Sequence, residues 1–285
     1  MTLIVKDAAG TNRYLQTAGL GTLDDPFLVL NGDYMLEASR GNIPGTSTVH
    51  KFGLASSIDT GDGVVDVWDG VDDTLGTGKI PSYTFSTSAD ITLISSTSAA
   101  DTQVVSVQGL DANWDLVEQE VTLTGQTAAT LTTALIRVFR VYNAGSVDFA
   151  GNIFICTTGT TFTAGVPQTA ANVRAVVKDG DNQTQMAIYT VPRNHTLYIT
   201  HGWSNLSKPA TTEAVVQIFR RPFESVFRVL HTLALQTSGT SSEHRPYMVP
   251  LRIPEKTDIV YRAQVYSSAS AVSAGFHGIL VEEIV

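Results

Sequence analysis

Val117-Glu118-Gln119-Glu120-Val121-Thr122-Leu123 places Val117, Gln119, Val121 and Leu123 on one face and Glu118, Glu120 and Thr122 on the other. That period of two belongs to a β-strand with one face buried. Residues 135–142 repeat it, with Ile136, Val138, Arg140 and Tyr142 opposite Leu135, Arg137, Phe139 and Val141. Upstream, Val64-Val65-Asp66-Val67-Trp68 ends in Asp69-Gly70, Ile91-Thr92-Leu93-Ile94-Ser95 follows a polar stretch, and Gln103-Val104-Val105-Ser106-Val107 runs into Gly109-Leu110-Asp111-Ala112-Asn113. Gly, Asp and Asn at such junctions accept the backbone angles of tight turns. Strands recurring at this spacing predict a sandwich or barrel over residues 46–165.

The same pattern continues beyond a Thr/Gly/Pro/Ala-rich stretch at 159–171, where a domain boundary is expected. Val173-Arg174-Ala175-Val176-Val177 opens the second half, with a turn at Asp179-Gly180-Asp181-Asn182. Residues 187–192 and 196–200 flank Arg193-Asn194-His195 and predict a hairpin. Further strands are expected at 215–219, 248–253, 258–266 and 276–283. Residues 225–235 fit a helical stripe and a strand equally well, and their β-branched and aromatic neighbours favour strand. No long helix is expected. Residues 1–45 hold short apolar runs between Gly, Asp and Pro, too little for a core, and read as an entry or anchoring segment. The expected fold is therefore all-β: a short extended N-terminal segment (1–45), then two β-sandwich or barrel-like domains (46–165 and 166–285).

Composition narrows the function. The 285 residues carry a net charge of −9, unevenly spread. Residues 1–165 hold 18 Asp/Glu against 7 Lys/Arg, and residues 166–285 hold 9 against 11. An acidic half and the lack of a basic run argue against nucleic acid, which requires a concentrated positive field. No run approaches the ~18 apolar residues of a membrane span, and the start lacks the basic-then-apolar order of a secretory signal. A soluble product of a cytoplasm is expected. The single cysteine, Cys156, sits in Ile153-Phe154-Ile155-Cys156 and reads as a small buried hydrophobe.

No constellation selects a reaction. Asp59, Asp62, Asp66, Asp69, Asp72 and Asp73 lie among glycines, but their spacing is not that of a calcium loop, and a solvated acidic loop is the reading preferred. The six histidines (50, 195, 201, 231, 244 and 277) are scattered, with no pair at metal-ligand spacing. No catalytic residue, cofactor or metal is expected. Trp68 follows a strand and reads as core. Trp114 and Trp203 sit beside turn residues and are the candidates for partner or glycan contact.

Several motifs in order resemble a widespread group of tailed-bacteriophage virion structural proteins. They are His50-Lys51-Phe52-Gly53, Val67-Trp68-Asp69-Gly70, residues 107–114 and 118–125, then Gln185-Met186-Ala187-Ile188-Tyr189-Thr190-Val191-Pro192, Arg220-Arg221-Pro222-Phe223, residues 253–259 and 272–281. The resemblance implies a non-enzymatic particle component assembled in a host bacterial cytoplasm. A capsid decoration (cement) or head-fibre subunit is favoured, with a tail, neck or baseplate component as the rival. Expected partners are other copies of the chain, favouring a trimer, and the major capsid or tail proteins, with neither nucleic acid nor membrane. A carbohydrate-binding adhesion module is the reading from another class, and a depolymerase the last.

Overall fold

The computed structural model describes residues 2–6, 12–18, 28–29, 34–267 and 269–283. Its strands are β1 (Thr2–Lys6), β2 (Asn12–Ala18), β3 (Leu28–Val29), β4 (Thr46–Ile58), β5 (Val65–Asp66), β6 (Ile91–Ser96), β7 (Val104–Leu110), β8 (Leu116–Thr122), β9 (Ala129–Leu135) and β10 (Arg137–Asn143). They continue with β11 (Ile153–Thr157), β12 (Phe162–Thr163), β13 (Val166–Pro167), β14 (Val173–Val177), β15 (Ile188–Thr190), β16 (His195–Pro222), β17 (Arg228–Ile253), β18 (Thr257–Val265) and β19 (Ser270–Glu282). One six-residue helix, α1 (Tyr34–Ser39), precedes β4. The fold is all-β, with antiparallel sheets in sandwich-like layers.

In the N-terminal segment β2 pairs with both β1 and β3. Residues 7–11, between β1 and β2, lie outside the described residues. The strands β6 to β11 form the sheets β14-β11-β6-β9 and β10-β7-β8, with β14 joining the first of them from beyond the 159–171 stretch. β11 lies between β6 and β14 and is buried along its whole length, which is why it reads as a continuous apolar run rather than an alternation. β8 is the half-buried edge that its alternation predicts. The expected strand over 135–142 is broken at Ile136, whose N–H turns to the carbonyl of Leu110, and β9 and β10 enter different sheets.

The largest sheet is built around β16 and β17, 28 and 26 residues long. Twenty-eight residues at strand rise extend about 90 Å along the chain. β16 pairs with β17 on one edge. On its other edge β18 covers Ala214 to Pro222 and β19 covers His195 to Ser207, so β18 and β19 lie end to end along it. β15 adds outside β18 and β4 outside β19. The hairpin expected between residues 187–192 and 196–200 does not form, because β18 separates β15 from β16. Residues 225–235 do form strand from Arg228 onward.

β4 and β5 come from the first half yet sit in this sheet. Val67-Trp68-Asp69-Gly70 fastens the join. The Val67 N–H donates to Tyr261 O (2.8 Å), its carbonyl accepts from the Ala187 N–H (2.9 Å), and the Asp69 and Gln185 backbones and the Asp69 carboxylate interlock. Apolar residues from Ala55 to Leu280 form one contiguous buried cluster. Cys156 lies within it, and burial pushes its thiol up to about 12.

The acidic region is not a solvated loop. Asp66, Asp69 and Asp72 are buried. Asp66 pairs with Arg262 (2.8 Å), Asp72 with Lys178, and Asp59 and Asp62 share Lys79 at 3.0 Å each. The cations arrive from distant segments, which a local reading of the Asp/Gly spacing does not reveal.

Candidate interaction surface

Where β4, β19, β16 and β17 run side by side, one face of the sheet carries exposed and half-buried side chains among the described residues, and alternation fixes which ones they are. His50 lies opposite His277, and His277 opposite His201. In the adjacent row Phe52 and Trp203 flank Gly275, and Trp203 lies opposite His244. A Cβ on Gly275 would come within 2.8 Å of Trp203 Cζ2, so the indole lies across the glycine and keeps its outer side half open. Four of the six histidines thus cross four neighbouring strands. The His50 and His277 rings stack at 4.3 Å, and His201 lies 5.9 Å from His277 and 5.6 Å from His244 between centroids.

Two further features adjoin this row. Between Ile199 and His201 of β16 the register of β17 jumps from Leu251 to Pro246, so residues 247–250 stand opposite Thr200 alone. Met248 is 99 % exposed and Val249 80 %. Beside them Tyr34 and Met35 of α1, with Tyr198, Pro250, Ile279 and Val281, line an apolar groove of about 270 Å³. Among the described residues, no strand pairs with the outer edge of β17. Unpaired strand edges recruit other strands unless blocked, and Pro246 and Pro250 remove two donors there. A proline pair around Met248-Val249 is the signal by which sequence alone marks an edge with an apolar tip.

Trp203 and Trp114 are not brought together. Trp203 lies on the open face, whereas Trp114 is 7 % exposed. Trp114 is drawn inward where residues 111–115 form a tight turn, with Asp111 accepting from the backbone of Asn113 and Asp115. Trp114 itself takes φ +68°. Its ring meets Phe223 edge-on at 4.7 Å and lies beneath the Arg137 guanidinium at 5.1 Å.

A cleft of about 310 Å³ between β4, β8 and β10 is lined by His50, Lys51, Glu118, Phe139, Arg140 and Tyr189. Its polar groups have internal partners. Lys51 donates to the Phe139 carbonyl and Arg140 to the His50 carbonyl, while Glu118 accepts from Ser106 and Tyr142. Burial holds the Lys51 ammonium far below its usual range. No nucleophile–base pair emerges from this arrangement. Among the described residues no three His, Cys, Asp or Glu side chains converge as metal donors, and no helix is long and apolar enough to cross a membrane.

The histidine row makes stability depend on acid. Burial first, then the positive charge of His277, Arg140 and Lys51, lowers the His50 pKa; burial and then His201 lower that of His277. The unfolded imidazoles take protons near pH 6.5 and the folded ones resist, so the unfolded state binds more protons as pH falls through that value. Stability from these two groups is present above about pH 6.5 and declines below it. The thermal midpoint is expected to fall between about pH 7.5 and 5.5, and to fall less in the His50→Gln/His277→Gln double variant. Equal slopes for the two proteins would remove the row as the cause.

No family model and no curated protein is similar to the chain. Among solved structures, it is similar to the infectious bursal disease virus Gx strain structure at 9 % identity, covering 83 % of this chain and 71 % of that one, with a TM-score of 0.23. The Gt strain of the same virus gives 11 % identity, 84 % and 71 % coverage and a TM-score of 0.21. Its VP2 subviral particle gives 13 % identity, the same coverages and a TM-score of 0.21. Likeness at this level carries no inference about role, which has to come from the chain's own residues.

Proposed function

We propose that this chain is a non-enzymatic virion structural protein of a tailed bacteriophage, a capsid decoration or head-fibre subunit that works as a homo-oligomer, favouring a trimer. The observation that carries the reading is the edge of β17, unpaired among the described residues, where Met248 and Val249 are exposed next to Pro250 of the apolar groove. Exposed apolar tips of this kind are uncommon on proteins that stay monomeric. A knob and a groove on one chain are complementary between copies, and a head-to-tail contact that closes gives a ring. The ordered motifs from His50 to residue 281 supply the phage context. A tail, neck or baseplate position would use the same surface in a different ring.

Light scattering on the purified chain, with counting of its copies per virion by quantitative mass spectrometry, tests this. The wild type is expected to be oligomeric and present in numbers comparable to the major capsid protein. Met248→Asp/Val249→Asp should weaken association by about 3 kcal/mol or more, a hundredfold or more in dissociation constant. A wild type that stays monomeric and is missing from virions would end the proposal; a small symmetric copy number would move it to the neck or tail. Trp203, open on one side over Gly275, favours glycan binding as a second reading. A glycan array on which Trp203→Ala binds like wild type would dismiss it.

A further inference from the structure

We propose that Lys51 is a nucleophilic amine bordering the cleft between β4, β8 and β10, where it captures a small uncharged aldehyde as a reversible imine. The inference uses neither the β17 edge nor the virion reading. Lys51 is 4 % exposed and is one of the residues lining the cleft of about 310 Å³. It stands on β4 opposite Phe276. Its Nζ reaches across to β10, where it donates to the Phe139 carbonyl and lies 5.9 Å from the centre of the Phe139 ring.

Its surroundings set its charge. Lys79 holds Asp59 and Asp62 at 3.0 Å each, and Lys178 holds Asp72. Lys51, among the described residues, donates to a neutral carbonyl and has the Arg140 guanidinium as a charged neighbour. An ammonium withdrawn from water beside a second cation gives up its proton, and desolvation or a neighbouring cation is what activates a lysine as a nucleophile. Burial first, then Arg140, hold Lys51 well below the usual lysine range. At Lys79 and Lys178 burial also lowers the pKa, but hydrogen bonds to Asp62, Asp59 and Asp72 outweigh it and raise both. An ordinary lysine is about one part in a thousand uncharged at pH 7.5, so an amine already neutral there starts with an advantage of up to about a thousandfold.

The cleft selects the partner. Val49, Leu116, Val117 and Leu280 give it apolar walls, and its volume is at the lower end of small-molecule sites, about 300–1,000 Å³. The other titratable groups lining it are His50 on β4, Glu118 on β8, Arg140 on β10 and Tyr189 on β15. Glu118 and Arg140 supply one charge of each sign, so the lining favours an uncharged ligand. The Nζ lone pair attacks the carbonyl carbon, the C–N bond forms, and both amine hydrogens leave with the carbonyl oxygen as one water. No electrons are gained or lost, and water reverses the step. A neutral amine needs no base to activate it, which suits a cleft without a nucleophile–base pair. Imine formation also takes the hydrogen from the Phe139 carbonyl, a cost that keeps the adduct labile.

The test is incubation of the full-length protein with butanal and sodium cyanoborohydride, which reduces an imine to a stable secondary amine by hydride transfer, followed by mapping of the alkylated lysines by mass spectrometry. At pH 7.5 Lys51 is expected to react about tenfold or more faster than Lys79, Lys178 and Lys256. The ratio of the Lys51 rate to the Lys256 rate should fall as pH rises, because the other amines gain neutral form while Lys51 already has it. Arg140→Met should lower that ratio at pH 7.5 by restoring a proton to Lys51. Leu116 lines the cleft and is 55 % exposed, so Leu116→Trp narrows the approach without disturbing the core. It should slow Lys51 about tenfold while leaving Lys256 within about twofold. Lys51 is retained in every protein compared, so the outcome does not depend on a variant that removes a buried residue. Alkylation of Lys178 and Lys256 with Lys51 untouched overturns the proposal, and so does a rate ratio that stays constant with pH. A Lys51 rate unchanged in Leu116→Trp overturns the cleft as its binding site.

Discussion

Asp258→Ala is expected to destabilise the fold by about 3–5 kcal/mol, a large part of an ordinary domain's stability. Asp258 is 0 % exposed. Its Oδ1 accepts from Arg137 Nε at 2.8 Å and Thr190 Oγ1 at 2.7 Å, and its Oδ2 accepts from Arg137 Nη2 at 3.1 Å and Arg221 Nη2 at 2.6 Å. Arg137 is equally buried, donates also to the carbonyls of Ser86 and Ile136, and lies over the rings of Trp114 and Phe85. Removing the carboxylate leaves a guanidinium in the core without its counter-charge, and such a charge has no route back to water. Arg137→Met should cost less, because Asp258 keeps Arg221 and Thr190 while methionine refills the space. Urea unfolding of the three proteins measures the ranking. A cost for Asp258→Ala below about 1 kcal/mol, or one smaller than that of Arg137→Met, would show that the network does not hold the structure.

Arg137 is in β10 and Asp258 in β18, and this pairing marks where the sequence stops being legible. The strand at 117–123 is readable because alternation is a local property and β8 has one half-buried face. β11 is readable as an apolar run because both of its neighbours bury it. The 28-residue β16 is not. Lys208-Pro209-Ala210 looks like a loop, but β17 pairs on both sides of it and an irregularity between Lys208 and Thr212 absorbs the interruption. The missed hairpin at 193–195 has the same origin: strands adjacent in sequence are separated by β18, whose partners are set by burial across the sheet. The candidate surface depends wholly on such long-range pairing. The indole of Trp203 lies open over Gly275, while a turn five residues long draws Trp114 inward. The histidines read as scattered because their neighbours lie across strands rather than along the chain.

Trp68→Ala is expected to cost about 3–5 kcal/mol, by the combined loss of buried surface and opening of a cavity. Trp68 is fully buried, donates Nε1–H to Ile80 O at 3.1 Å and meets Tyr83 edge-on at 5.3 Å. The indole packs flat on Gly70, where a Cβ would stand 2.2 Å from Trp68 Cζ2. Gly70→Ala therefore attacks the same contact from the other side, and relief requires an indole enclosed on every face to move. Trp68→Phe keeps most of the ring but strands the Ile80 carbonyl, an expected cost nearer 1–3 kcal/mol. The position matters beyond its own contacts, because Trp68 bridges Met186 while its neighbours Val67 and Asp69 bond to residues 185, 187 and 261. Loosening it loosens the seam between the first-half strands and the long sheet. Urea unfolding followed by far-ultraviolet circular dichroism and by the fluorine resonance of 5-fluorotryptophan at Trp203, 135 residues away in sequence and resolved from Trp114, separates two outcomes. If the seam couples the halves, both signals shift to the same lower midpoint in Trp68→Ala and in Gly70→Ala. A Trp203 transition that stays at its wild-type midpoint would show that the long sheet stands without the seam.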